Sequence, residues 1–130
     1  MNPESNIGDQ NICFFFDNDQ YICIIWEPDF DTSKPNLHIV DAKTNGDIVN
    51  AAYEFETGKF YKHGSCKEYL NDNVLEKLNE FLQTDVDELI KQSYTVDIKT
   101  YWNFCILEWN MNNSDHEIDV NLSFKPLTNN

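Results

Sequence analysis

The chain is mostly polar through residue 11 and then carries two apolar runs, 12–16 and 21–26, on either side of Asp17-Asn18-Asp19-Gln20. Aromatic and β-branched residues flanking a cluster of turn formers predict a hairpin. The apolar residues in these runs are consecutive rather than alternating, which predicts strands covered on both faces and a central place in a sheet. A four-residue loop pairs Phe14 with Cys23 and Cys13 with Ile24, so the sulfurs of Cys13 and Cys23 are expected on opposite faces, with no disulfide between them. Pro28 and Pro35 mark a loop over 27–35. Further strands are predicted over 37–40 and 48–55, split by Thr44-Asn45-Gly46-Asp47, and over 59–62 after a turn at Thr57-Gly58.

From residue 69 to 83 the period changes. Val74, Leu75, Leu78, Phe81 and Leu82 fall on one helical face, with Glu76, Lys77, Asn79 and Glu80 on the other, which predicts an amphipathic helix. Asp85 with Glu88 three residues on has the form of a capping box, which predicts a second, shorter helix ending near Tyr94. Strand character returns over 101–111 and 118–124. In the second of these Ile118, Val120, Leu122 and Phe124 alternate with Asp119, Asn121 and Ser123. The two segments are expected to pair. Strands, then helices, then strands predict a single α+β domain over 1–130, a largely antiparallel sheet with one or two helices packed on one face, and loose ends at 1–11 and 126–130.

Charge narrows the function. Against 23 acidic residues stand nine basic ones, all Lys, for a net charge of −14 over 130 residues. Such a field repels phosphate backbones, and the absence of Arg removes the side chain best suited to bidentate phosphate capture, so direct nucleic-acid binding is excluded. With 41% hydrophobic and 14% aromatic residues the composition is that of a folded domain. No run approaches the roughly 20 apolar residues of a membrane span, and the first residues lack the basic and apolar regions of a signal peptide. The expectation is a cytoplasmic protein with reduced thiols and no membrane contact. The acceptor patterns at Asn112-Asn113-Ser114 and Asn121-Leu122-Ser123 then carry no meaning.

The search for chemistry gives little. The cysteines, Cys13, Cys23, Cys66 and Cys105, form no Cys-x-x-Cys, and His38, His63 and His116 are isolated, so no metal and no cofactor is expected. Neither Asp17-Asn18-Asp19 nor Asp29-Phe30-Asp31 continues as a calcium loop. His63-Gly64-Ser65-Cys66 groups suitable residue types without a nucleophile elbow, and no glycine-rich phosphate loop occurs. Glu54 and Glu56 are a carboxylate pair of a kind that 23 acids produce by chance.

Pro35-Asn36-Leu37-His38-Ile39, then Glu56-Thr57-Gly58, then the helices through Leu89-Ile90, resemble a small bacterial domain family of unknown function with a Pro-Pro-His-x-His strand, a strand ending in Glu-Thr-Gly and two helical segments. The likeness covers under half of the chain, and Asn36 and Leu37 stand where Pro and His are typical. The resemblance implies one member of a toxin and antitoxin-like gene pair.

The reading that follows is an acidic inhibitor, an immunity protein or antitoxin, with no catalytic residue and a basic protein partner, namely a toxin nuclease domain. A phage-encoded acidic inhibitor of a nucleic-acid defence complex satisfies the same physics. A small hydrolase or ligand-binding domain using His38, His63 or Cys66 is the alternative in another class, and an acidic face kept for solubility is the plainest explanation of the charge. The candidate partner-binding residues are Asp17, Asp19, Glu27, Asp29 and Asp31 in one acidic cluster, Asp115, Glu117 and Asp119 in a second, and Trp26 and Trp109 as exposed aromatic anchors. The oligomeric state is left open by the sequence.

Overall fold

The computed structural model describes residues 9–27, 34–41, 50–62 and 68–130. Strands β1 (Asp9–Phe16), β2 (Tyr21–Glu27), β3 (Asn36–Asp41) and β4 (Asn50–Glu54) form one antiparallel sheet in the order β1-β2-β3-β4. Helices α1 (Asp72–Leu82), α2 (Glu88–Ser93) and α3 (Tyr101–Asn112) follow. The domain is α+β, as predicted, with its strands first and its helices after them.

Cross-strand partners share a face. Pairing of Phe14 with Cys23, Cys23 with Ile39 and Ile39 with Ala51 therefore defines one side of the sheet, to which Phe16, Ile25, Leu37 and Tyr53 also belong. All are buried. Helices α1 and α3 pack on this side: Phe14 stacks on Phe81 of α1 at 4.5 Å and meets Tyr101 of α3 at 5.4 Å between ring centres. Each fully buried apolar side chain here contributes about 1.5–3 kcal/mol. Ile24, His38 and Ala52 lie on the other face and are buried as well. The expectation of full cover fails at β1, which is an edge strand of the described sheet and leaves Ile12 and Phe15 exposed.

The register also departs from expectation. Phe14 pairs with Cys23 as predicted, but Ile12, not Cys13, stands opposite Ile24, so Cys13 is the extra residue of a β-bulge. A bulge re-aims its side chain. Cys13 is thereby turned to the helix-covered side, beside Cys23, and the prediction of sulfurs on opposite faces is corrected.

Helix α1 forms where its period indicates. Asn71 caps it by accepting from the Val74 N–H at 2.9 Å, and Val74, Leu75, Leu78 and Leu82 are buried. The capping box expected from Asp85 and Glu88 does not form. Asp85 instead bridges to Thr100, and α2 begins at Glu88 with no side-chain cap.

The C-terminal third corrects the sequence reading most. Residues 101–111, predicted as a strand, are helix α3, capped by a reciprocal Thr100 and Asn103 box. Tyr101, Trp102, Phe104, Cys105, Ile106, Leu107 and Trp109 are all buried. A helix apolar on every side has no one-sided period, and its aromatic and β-branched residues imitate a strand. The sheet covers one side of it. Over the other runs a strap, residues 117–128, broken by a turn at Val120-Asn121, in which Ile118, Val120, Leu122 and Phe124 are partly buried and pack against the core. The alternation was read correctly, but it serves a helix. The backbone carbonyls of Ile118, Val120 and Leu122 accept from Asn110 Nδ2, Asn103 Nδ2 and Trp102 Nε1 at 2.7, 2.9 and 2.8 Å. Among the described residues no strand pairs with residues 117–127, and only Thr128 makes a bridge, a parallel one to Lys59.

The chain end, expected to be loose, is held by a network. Thr128 donates to the Gly58 carbonyl, Leu127 exchanges two hydrogen bonds with Asn79, and Asn129 Oδ1 accepts from Tyr53 Oη at 2.7 Å. Gly58 has φ +75°, and a Cβ there would lie 2.6 Å from the Pro126 oxygen, so the close approach of the strap requires glycine. Tyr53 Oη also accepts from the Leu70 N–H at 3.0 Å. Burial, joined by the charge of Asp72, pushes the Tyr53 hydroxyl up to about 12. The folded state thus holds this proton more tightly than the unfolded chain, whose tyrosines titrate near about 10, so the stabilisation is complete below about pH 10 and is lost as pH rises through about 12. Tyr94, raised to about 12 by burial and by Glu108, adds to the same alkaline loss. Tyr53→Phe is expected to cost about 1–3 kcal/mol at neutral pH, because the Leu70 N–H loses its partner, and to reduce the fall in stability above pH 10. Urea midpoints against pH test both.

Candidate functional site

The outer side of α3 and the strap enclose a groove of about 470 Å³ lined by Val96, Leu107, Asn110, Met111, Ser114, Glu117, Ile118 and Val120. Its position follows from the strap: Asn110 Nδ2 donates to the Ile118 carbonyl and Asn110 Oδ1 accepts from the Ile118 N–H at 2.9 Å, which fixes one wall. Met111 is 56% exposed and Val96 is 41% exposed, so two large apolar side chains meet solvent at the groove. Of the acids expected in the second cluster, Glu117 lines the groove, while Asp115 in the 3-10 turn Ser114–His116 and Asp119 in the strap are exposed to either side of it in sequence. The structure therefore places one acid of that cluster, Glu117, beside an apolar floor. Sequence reading missed Val96, Leu107 and Met111, because a segment read as strand gave no reason to place them beside the strap.

The first cluster fares differently. Asp17, Asn18 and Asp19 all have positive φ, at 54, 55 and 62°, so the left-handed backbone of the β1–β2 turn accounts for these residue types. Asp17 also receives the Lys77 ammonium of α1 at 2.9 Å. Asp19 is exposed. Trp26 and Glu27 end β2, their backbone opposite Gln10 and Asp9. Asp29 and Asp31 lie outside the described residues.

Trp109 is not an exposed anchor. It is fully buried, with Nε1 donating to the His116 carbonyl at 2.9 Å, and so belongs to the core and holds the turn that starts the strap. His38, the first residue of the hydrolase reading, is buried on the sheet face away from the helices, and His63 and Cys66 lie outside the described residues. On the same face as His38, Asn36 is fully buried. Its Nδ2 donates to the Lys34 carbonyl, while Oδ1 has no hydrogen-bond partner among the described residues.

A second constellation was invisible in the sequence. The Sγ atoms of Cys13, Cys23 and Cys105 lie within 4.8 Å of one another, the last two 3.8 Å apart, and all three are buried thiols outside any disulfide. The Cys13 thiol is held well above the ordinary range, foremost by its hydrogen bond to Cys105, with burial and the Glu108 charge adding to this. Burial is the leading cause of the same upward shift at Cys23 and Cys105. Neutral, shielded thiols are poor nucleophiles. At most one of the four cysteines is therefore expected to be alkylated by a bulky reagent that needs an exposed thiolate, at about pH 8, until the protein is unfolded. Prompt native-state alkylation of two or more contradicts this placement.

Comparison with protein-family models, curated proteins and solved structures finds no match to this chain. Among the described residues no helix is long and apolar enough to cross a membrane.

Proposed function

We propose that this chain is an acidic inhibitor of the immunity-protein or antitoxin kind, acting in the bacterial cytoplasm, and that it binds a basic protein partner, a toxin nuclease domain, without catalysis of its own. The observation that carries this reading is the apolar groove lined by Glu117, which Asp115 and Asp119 flank in sequence as exposed residues, on a chain of net charge −14. Its two parts divide the work of recognition. Buried apolar contact at Val96, Met111, Ile118 and Val120 gives affinity, while the negative field accelerates encounter with a cationic surface and rejects nucleic acid. The same acids then occupy the surface where a nuclease receives phosphates.

The test is protection. Cells challenged with the partner toxin should survive when the chain is expressed. The double substitution His63→Ala with Cys66→Ala should still protect. Loss of protection by a double variant that remains folded and still binds would transfer the function to the hydrolase reading.

A further inference from the structure

Three thiols from distant parts of the chain meet where β1 and β2 face α3. Cys23 comes from the middle of β2 and Cys105 from α3, and Cys13 joins them because the bulge in β1 breaks the strand register at that residue. Buried cysteine often serves simply as a small apolar residue, but here the irregularity of the strand supplies a third sulfur to a pair already 3.8 Å apart. An ion with metal–sulfur bonds of about 2.3 Å sets its thiolates about 3.8 Å apart, so Cys23 and Cys105 already stand at the spacing such a site requires. Among the described residues the group of possible ligands closes at these three, one short of a four-ligand zinc site.

Charge selects the occupant. The sulfurs are buried, and the ionisable groups that act on them are one another and Glu108 of α3, whose carboxylate accepts from Tyr94 Oη at 3.0 Å. No cation acts on them among the described residues. A monovalent ion on three thiolates leaves two net negative charges in this core, and a divalent ion leaves one, each at a heavy desolvation cost. A trivalent ion leaves none. We propose that Cys13, Cys23 and Cys105 form a binding site for a trivalent thiophilic metalloid of the arsenite class, held as an uncharged tris-thiolate. In the binding step the three S–H bonds and the three As–OH bonds of arsenous acid break and three As–S bonds form. Each thiol proton leaves with a hydroxyl group as water, so three waters are released and neither oxidant nor reductant takes part. Cys13, on the edge strand β1, is the most exposed of the three thiols, at 8% against 0% for Cys23 and Cys105.

This site is independent of the partner groove. Its test uses the full, reduced chain with inorganic arsenite alone. Native mass spectrometry should show one adduct per chain, heavier by one arsenic atom less three hydrogens, and the thermal midpoint should rise with arsenite concentration. Cys66→Ala should keep both effects, whereas Cys13→Ala should weaken binding by at least about tenfold. Because no net proton is released, affinity should stay nearly constant from about pH 6 to about pH 8, while zinc or cadmium binding strengthens with pH. Arsenic X-ray absorption of the wild-type adduct reads the site without any variant: three sulfur neighbours and no oxygen are expected. An oxygen neighbour, no adduct, an unshifted thermal midpoint, equal binding by folded Cys13→Ala, or stoichiometric zinc that arsenite cannot displace would each overturn the assignment.

Discussion

Trp109→Ala is expected to destabilise the protein by about 3–5 kcal/mol, a large share of the roughly 5–15 kcal/mol that holds a domain of this kind folded. The indole is fully buried on α3, and its Nε1–H is bound by the His116 carbonyl. Truncation therefore leaves a cavity against the sheet and an unpaired carbonyl at the turn that launches the strap. Trp109→Phe should cost less, because the ring volume is mostly kept and only the hydrogen bond is lost. Urea unfolding followed by circular dichroism measures both. A Trp109→Ala protein of near wild-type stability that had lost only its partner would return this residue to the interface where the sequence had placed it.

The second large effect is expected at the groove. Glu117→Lys combined with Asp119→Lys should weaken the complex with a basic partner by more than tenfold, about 1.4 kcal/mol, with the fold intact because both side chains are exposed. Reversal of Asp19 alone should change the association rate and its salt dependence more than the lifetime of the complex, since an isolated exposed charge steers encounter without being desolvated. Asp17 is a poorer probe of binding, because its ion pair with Lys77 ties the β1–β2 turn to α1. Isothermal titration of the double variant against wild type is the decisive comparison. Wild-type affinity in the double variant would remove the strap from the binding site.

The sequence and the structure agree where local pattern and tertiary role coincide. The hairpin of β1 and β2 and the buried face of α1 are legible because turn formers, apolar runs and a 3.6-residue period each point one way. Helix α3 was illegible because Trp102, Phe104, Cys105 and Leu107 point in different directions around the helix and all are buried. Its cover comes from a strap that only the folded chain supplies. In that strap the alternation of Ile118, Val120, Leu122 and Phe124 reports which side faces the core, but not what accepts its hydrogen bonds. The three-thiol cluster was hidden by one inserted residue. With a regular ladder Cys13 and Cys23 point apart, and nothing in the spelling of β1 announces the bulge that joins them. Of the candidate site, the acids of the strap were readable and the apolar floor was not, since Val96, Leu107 and Met111 come together only when residues 101–112 are helical.

The most direct measurement of the central claim is the affinity of the purified chain for a basic toxin nuclease domain of the proposed kind, taken across a series of salt concentrations. The account predicts a one-to-one complex whose association rate falls steeply between about 0.05 and 0.5 M salt as the field of a −14 chain is screened, while a substantial affinity survives at high salt through the groove. A complex indifferent to salt, or no complex at any ionic strength, would contradict it.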